Sequence, residues 1–229
     1  MFDYHPAVTF QQGEILRYIT HGYWVDSKHI VGGPNVIYRP IPESTTQPLI
    51  APISAILHSN AGPNKTPWAS LWAYMNRKDI VGEAHFQVDG VDGDGPLVQI
   101  IPLNRRADCN YKANRWAKDG RYVGAISFES QDRGSATLAT TSWSPIQLQH
   151  MIGVLTWLCV CYNVWCTQPA SWTDSGIGHH SLFKEWSSFI GKTCPGAARI
   201  RQMDYIRQQV ATNLTAFSKD TGWKCGKGF

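Results

Sequence analysis

Residues able to bind a borderline-soft cation gather in one stretch of the sequence, Gly176 to Gly196, which reads G-I-G-H-H-S-L-F-K-E-W-S-S-F-I-G-K-T-C-P-G. His179 and His180 stand upstream of a Lys192-Thr193-Cys194-Pro195 turn, so imidazole, thiolate and ammonium can converge within one long loop. Imidazole nitrogen and thiolate sulfur are the donors zinc prefers. Two protein ligands do not make a site, and the spacing matches no zinc finger. The third ligand has to come from elsewhere, and the best candidate is His58, in A-I-L-H-S-N-A-G.

The elements around these residues decide whether they can meet. Ile50 to His58 is apolar and β-branched, and a polar run, S-N-A-G-P-N, follows at once. That is the pattern of a buried strand with His58 at its C-terminal edge, where ligand sites of α/β sheets gather. A second strand, V-G-A-I-S-F-E, delivers Glu129 near its end. A strand-end glutamate is ordinarily a solvated side chain, and this one matters only if it ends at the same edge as His58. Trp68 to Asn76 has helical spacing at Trp68, Leu71, Trp72 and Met75, which predicts a helix with its tryptophans in the core. A-H-F-Q-V and L-V-Q-I-I-P, separated by D-G-V-D-G-D-G-P, read as a hairpin. The acidic loop between them fails the EF-hand spacing, and its glycines lack the helix that a phosphate loop needs.

Residues 104 to 119 form a polar, basic loop able to line a substrate groove. Ser144, Pro145 and Gln147 supply an N-cap, a proline at the first helical position and a capping-box partner. The helix they open carries Met151, Val154, Leu155 and Leu158 on one face, has further apolar residues around it, and should end near Tyr162-Asn163. Residues 199 to 214 give a second, amphipathic helix through Met203, Ile206 and Val210. Residues 1–48, with Gly32-Gly33-Pro34 and Arg39-Pro40-Ile41-Pro42, read as an N-terminal arm packed on the main domain, with short strands or a short helix around Phe10 to Tyr18. The tail from Gly222 to Phe229 reads as frayed.

A chain of 229 residues that is 43% hydrophobic can bury one full core. The net charge of +4 favours an anionic partner such as a cell wall. No block of Lys and Arg interleaved with aromatics marks a nucleic-acid surface, so no nucleic-acid partner is expected. The ten tryptophans suit stacking on sugar rings as well as core packing. The six cysteines make no repeat of CxxC pairs and require no oxidising compartment; Cys159 and Cys161 read as small hydrophobes within a helix. The opening M-F-D-Y-H-P has neither the basic nor the apolar region of an export signal. The longest apolar run, around Met151 to Cys161, is too short to span a bilayer.

Taken in order, a strand ending H-S-N-A, a helix, A-H-F-Q-V-D-G…L-V-Q, G-A-I-S-F-E, S-P-I-Q opening a helix, and H-H-S…K-T-C-P-G resemble the zinc-dependent N-acetylmuramoyl-L-alanine amidases. That family includes phage endolysin amidases, bacterial recycling amidases and animal peptidoglycan recognition proteins. The resemblance covers roughly residues 50 to 215, and the insert with Phe183 and Trp186 is similar to the amidase modules of actinobacteriophage endolysins.

It implies a single α/β domain over residues 49–229, with a central mixed β-sheet flanked by helices and a zinc site at one sheet edge. It places zinc ligands on His58, Cys194 and one of the two adjacent histidines. An apolar strand residue three before the second histidine selects His180 through Ile177, whereas a G-H dipeptide would select His179. Alternation along a strand also favours His180, because Ile177 and His179 share one face and His180 points the other way.

Some phage members carry a catalytic tyrosine just before the H-F of the hairpin strand. Ala84 stands there, and the resemblance shifts the general-base role to Glu129, with Lys192 as oxyanion donor. Asp108-Cys109 departs from the aromatic and histidine that relatives show. The implied activity is hydrolysis of the muramoyl–L-alanine amide of peptidoglycan for host lysis, by a monomer held in the host cytoplasm without a signal peptide and without membrane insertion. The alternatives are a recycling amidase acting on soluble muropeptides and a non-catalytic peptidoglycan-binding module.

Overall fold

In the computed structural model, residues 22–60, 66–77, 82–114, 116–118, 120–133, 141–187 and 193–222 are described. The helix expected around Phe10 to Tyr18, most of the C-terminal tail, and Lys192 lie outside these residues. Among the described residues nine strands form: β1 Trp24–Val25, β2 Val31–Gly32, β3 Val36–Tyr38, β4 Ala51–Ser59, β5 Phe86–Val88, β6 Leu97–Gln99, β7 Trp116–Lys118, β8 Arg121–Ser130 and β9 Gly176–His179. The α-helices are α1 Glu43–Thr46, α2 Trp68–Met75, α3 Pro145–Tyr162, α4 Ala197–Ile200 and α5 Met203–Thr221. Short 3-10 turns occupy Tyr111–Asn114 and Lys184–Trp186.

The main sheet has the order β3-β6-β5-β8-β4-β9, with β7 paired to β8, while β1 and β2 form a separate ribbon. It is mixed: β5 and β6 are the antiparallel hairpin expected from the sequence, and β5, β8, β4 and β9 run parallel to one another. The fold class is thus the one expected, a mixed α/β sheet flanked by helices. The parallel strands carry apolar runs where one face lies under the long helices and the flanks of the other under smaller clusters.

One face is covered by α3 and α5, whose Met151, Val154, Leu155, Leu158, Ile206, Val210 and Leu214 pack with Ala55, Leu57, Ile126 and Phe128 of the sheet. Ser144 caps α3 through its hydroxyl on the Gln147 N–H, the Gln147 side chain returns to the Ser144 N–H, and Asn163 ends the helix in the left-handed region. Buried residues surround α3 because the N-terminal stretch adds a third neighbour. Tyr23 lies so close to Gly153 that a Cβ there would fall 2.4 Å from the tyrosine ring. Tyr23 also accepts, on its carbonyl, the indole N–H of Trp157 at 2.7 Å. Further along the same stretch, β3 extends the sheet beside β6.

The opposite face is covered only at its sides. Helix α2 supplies Met75 to a cluster with Ala84, Val98 and Ile100, with Trp68 and Trp72 packed against it. Those two tryptophans are half-buried rather than core, and Trp72 lies under the Arg39 guanidinium and donates its indole N–H to the Arg39 carbonyl. On the other side Trp186 and Ala113 of the two 3-10 turns cover Ile56 and Ala125. Register puts Val98, Gln87, Glu129 and His58 in one row across this face, so a polar row runs between the two apolar caps.

Candidate metal centre

Strands β8, β4 and β9 run in the same direction, so their C-terminal ends open at one edge. His58 pairs with Glu129 across β4 and β8, and Leu57 pairs with His179 across β4 and β9. Leu57 faces the helix layer and Ile56 the opposite cluster. Strand alternation therefore projects His58 and Glu129 together from the face that the long helices leave uncovered. His58 is buried, and its Nδ1 lies 3.6 Å from Glu129 Oε1, whose side chain keeps 16% exposure.

His180 follows the last residue of β9. Its N–H continues the ladder to the Leu57 carbonyl at 3.2 Å, while its ring comes to 4.2 Å from the His58 ring, centroid to centroid. Its Nε2 lies 3.0 Å from the Trp186 carbonyl, which can only accept. The proton therefore sits on Nε2, and Nδ1 carries the lone pair. Trp186 reaches that position because Gly178 has no side chain: a Cβ there would stand 2.7 Å from the indole.

Cys194 is brought in by the turn from Thr193 to Gly196. Gly196 N–H bonds the Thr193 carbonyl at 2.6 Å, and Ser181 N–H bonds the Cys194 carbonyl at 2.9 Å. The Ser59 N–H then donates to Cys194 Sγ at 3.3 Å, and the Ser59 carbonyl lies 3.8 Å from the same sulfur. The turn is tied to the strand ends by Arg199, fully buried, which bonds the carbonyls of Thr141, Ser130 and Gln131 and the Ser130 hydroxyl. Burial pushes the Arg199 pKa down to about 10, with Asp132 the leading charge opposing that fall, so the group stays a cation at neutral pH.

The outcome is a compact donor set. Ligand atoms of His58, His180 and Cys194 all lie within 4.8 Å of one another. His179 stays out of it: its Nδ1 lies 3.1 Å from Ser181 Oγ, and burial, then Arg207, push its pKa down to about 4. Two imidazole nitrogens, a cysteine sulfur and a carboxylate 3.6 Å from one of those nitrogens form a cluster of metal-ligating groups. Such a set can hold a metal ion, and soft and borderline donors in this number leave room for a further ligand.

Ala84 is fully buried in the α2 cluster and offers no chemistry. Asp108 is engaged by Gln47 Nε2 at 3.2 Å and by Arg106 at 3.0 Å. The adjacent Cys109 thiol is pushed well up by burial and then by the Glu129 charge. The sequence reading missed Arg199, an arginine in an amphipathic pattern, and Asn110, whose Oδ1 lies 2.7 Å from His58 Nε2. The polar loop containing Asn110 was the available signal, and one of its residues reaches His58.

No family model and no curated protein sequence matches the chain. Solved structures do. The catalytic domain of XlyA aligns with a TM-score of 0.53 at 18% identity, over 77% of this chain and 99% of that one. The endolysin N-acetylmuramoyl-L-alanine amidase LysCS from Clostridium intestinale URNW aligns at 0.50 and 17%, over 78% and 96%. AmpD aligns at 0.52 and 16%, over 80% and 98%. The chain has the endolysin amidase fold. At these identities the likeness is one of architecture, and it agrees with the family resemblance carried by the motifs. In this amidase fold the three donors and Glu129 lie at the C-terminal edge of the parallel strands, where α/β sheets bind ligands.

Proposed function

We propose that this protein is a zinc-dependent N-acetylmuramoyl-L-alanine amidase that cuts the amide between the glycan strand and the stem peptide of peptidoglycan. The observation that carries the reading is the cluster of His58, His180 and Cys194 beside Glu129, on the fold shared with endolysin amidases. Zinc is the ion that best matches two imidazoles and a thiolate, and when bound in a three-ligand site it activates water and polarises a carbonyl. His58, His180 and Cys194 would hold it.

Glu129, half-enclosed at the end of β8, takes a proton from the attacking water and returns it to the departing L-alanine amine. Lys192, two residues before Cys194 in the sequence, supplies the ammonium that stabilises the oxyanion. The net charge of +4 favours approach to an anionic wall. Among the described residues no helix is long and apolar enough to cross a membrane. In this reading the enzyme is a monomeric phage lysin that waits in the host cytoplasm and reaches the wall once the membrane is breached.

Purified cell walls and soluble muropeptides, each incubated with zinc-loaded protein, test the proposal. Release of new L-alanine amino termini without new reducing sugar ends is the expected result, together with clearing of intact walls. Cleavage confined to soluble muropeptides would move the role to recycling. Wall binding without either product would leave a recognition module and overturn the enzymatic reading.

A further inference from the structure

Asn110 is fully buried and makes contacts at both ends of its amide. Its Nδ2 donates to the Ala125 carbonyl at 3.2 Å, and its Oδ1 lies 2.7 Å from His58 Nε2 and 3.6 Å from the Cys109 thiol. The Ala125 carbonyl can only accept, so the amide edge that faces it must be the NH2 and the edge that faces His58 must be the carbonyl. An imidazole nitrogen opposite a carbonyl oxygen at that distance has to be the donor.

The loop is held in place for this. Asn114, one helical turn on, accepts the Ala125 N–H on Oδ1 at 2.6 Å, so Asn110 and Asn114 grip both backbone groups of one β8 residue. Strand β5 pairs with β8 only from Phe128 onward, and the two asparagines satisfy backbone groups that would otherwise lack a partner beside it. The main chain at Asn110 is further fixed by its carbonyl, which accepts the Ala113 N–H at 3.0 Å. The asparagine carbonyl therefore stands ready at His58 whether or not a ligand is bound.

We infer that Asn110 is a positioning residue that selects the Nε2–H tautomer of His58 and so presents the Nδ1 lone pair to the metal cluster. The inference rests on reading that cluster as a metal site. A neutral imidazole carries one N–H, and hydrogen bonding of the far nitrogen sets which one ligates. His180 is oriented the same way by the Trp186 carbonyl, so both histidines offer Nδ1, each from a fixed ring. The two supports differ in kind: a backbone carbonyl cannot be mutated away, whereas the Asn110 side chain can.

The test uses three proteins, wild type, Asn110→Leu and Asn110→Asp, and two measurements. Nitrogen-15 NMR of the metal-free full chain at about pH 8, above the ordinary imidazole range, reads the His58 tautomer without any metal. Chelator competition then reads zinc affinity. Wild type and N110D should show Nε2–H at His58, and N110L a mixture or the Nδ1–H form. Zinc affinity should fall roughly 10–100-fold in N110L, the usual cost of losing such an outer partner, and stay within a few-fold of wild type in N110D.

N110D keeps the acceptor but loses the donor to Ala125, so a merely structural role would damage both variants alike and overturn the inference. An Nδ1–H tautomer at His58 in the wild type would overturn it without any variant. A wild type that binds no zinc while His58 is Nε2–H would instead overturn the metal reading on which the inference rests.

Discussion

The carboxylate of Glu129 stands 3.6 Å from Nδ1 of His58, on paired residues of adjacent parallel strands. Because the pairing is in register, backbone hydrogen bonds between the strands hold the two residues side by side, and in the proposed reading the base stands beside a metal ligand before substrate arrives. Substituting Glu129 by Gln keeps the shape and removes only the ability to accept a proton. The expected loss in hydrolysis rate is about 10²–10⁴-fold, with zinc content and wall binding unchanged. Hydrolysis at the wild-type rate would place the base elsewhere.

The adjacent histidines make a second prediction. His180 shares the cluster with His58 and Cys194, whereas His179 is bonded to Ser181 and lies under the influence of Arg207 from α5. His180→Ala should abolish stoichiometric zinc, and His179→Ala should leave most of it. Elemental analysis of both purified proteins decides, and the reverse pattern would shift the ligand by one residue.

Much of this geometry was legible in the sequence because strand and cap signals are local. The apolar run ending at His58, the hairpin, the Ser144 capping box and the Asn163 terminus all appear where their residues place them. Readings that depended on distant partners fared differently. Helix α5 begins at Met203 rather than 199, and Arg199 belongs to the short α4 before it, buried because backbone carbonyls of three remote residues receive its guanidinium. Hydropathy cannot foresee a buried cation. Trp68 and Trp72 have the spacing of core residues, yet α2 lies at the flank of the sheet and an arginine from the N-terminal stretch covers one of them. Asn110 carries no signal beyond lying in a polar loop, since its contact with His58 spans 52 residues of sequence.

Arg199 leads to a stability prediction. Its guanidinium lies 3.7 Å from Asp132, a carboxylate also held by the hydroxyls of Ser59 and Thr141. Arg199→Met removes the cation and leaves that buried carboxylate and several carbonyls underpaired, which costs about 3–5 kcal/mol in comparable buried pairs. The double variant with Asp132→Asn should recover part of the loss. Urea unfolding monitored by tryptophan fluorescence measures both, and a single variant within about 0.5 kcal/mol of wild type, the scale of ordinary surface changes, would show that the clamp carries little.

Acid sensitivity provides the last prediction, through His85. The ring is fully buried, with Nε2 2.9 Å from the Arg105 carbonyl and Nδ1 accepting the Ser127 N–H at 3.1 Å. Both nitrogens are thus committed to the neutral form, and burial pushes the pKa from its ordinary 6.5 down to about 4. The sign follows from proton uptake. Above pH 6.5 the ring is neutral folded or unfolded and contributes nothing to pH dependence. As pH falls below that value the unfolded chain binds a proton that the folded chain refuses, so stability declines until about pH 4 and is constant below. The total is roughly 3 kcal/mol, of which about 2 should be lost by pH 5. His150 and His179 are lowered as well and add to the slope, so the comparison has to be with His85→Gln rather than with theory. Unfolding free energies at about pH 7.5 and pH 5, measured with chelator present so that metal release adds no protons of its own, give the two slopes. His85→Gln should lose markedly less stability over that interval, and equal losses would mean that the His85 ring accepts its proton within the folded protein.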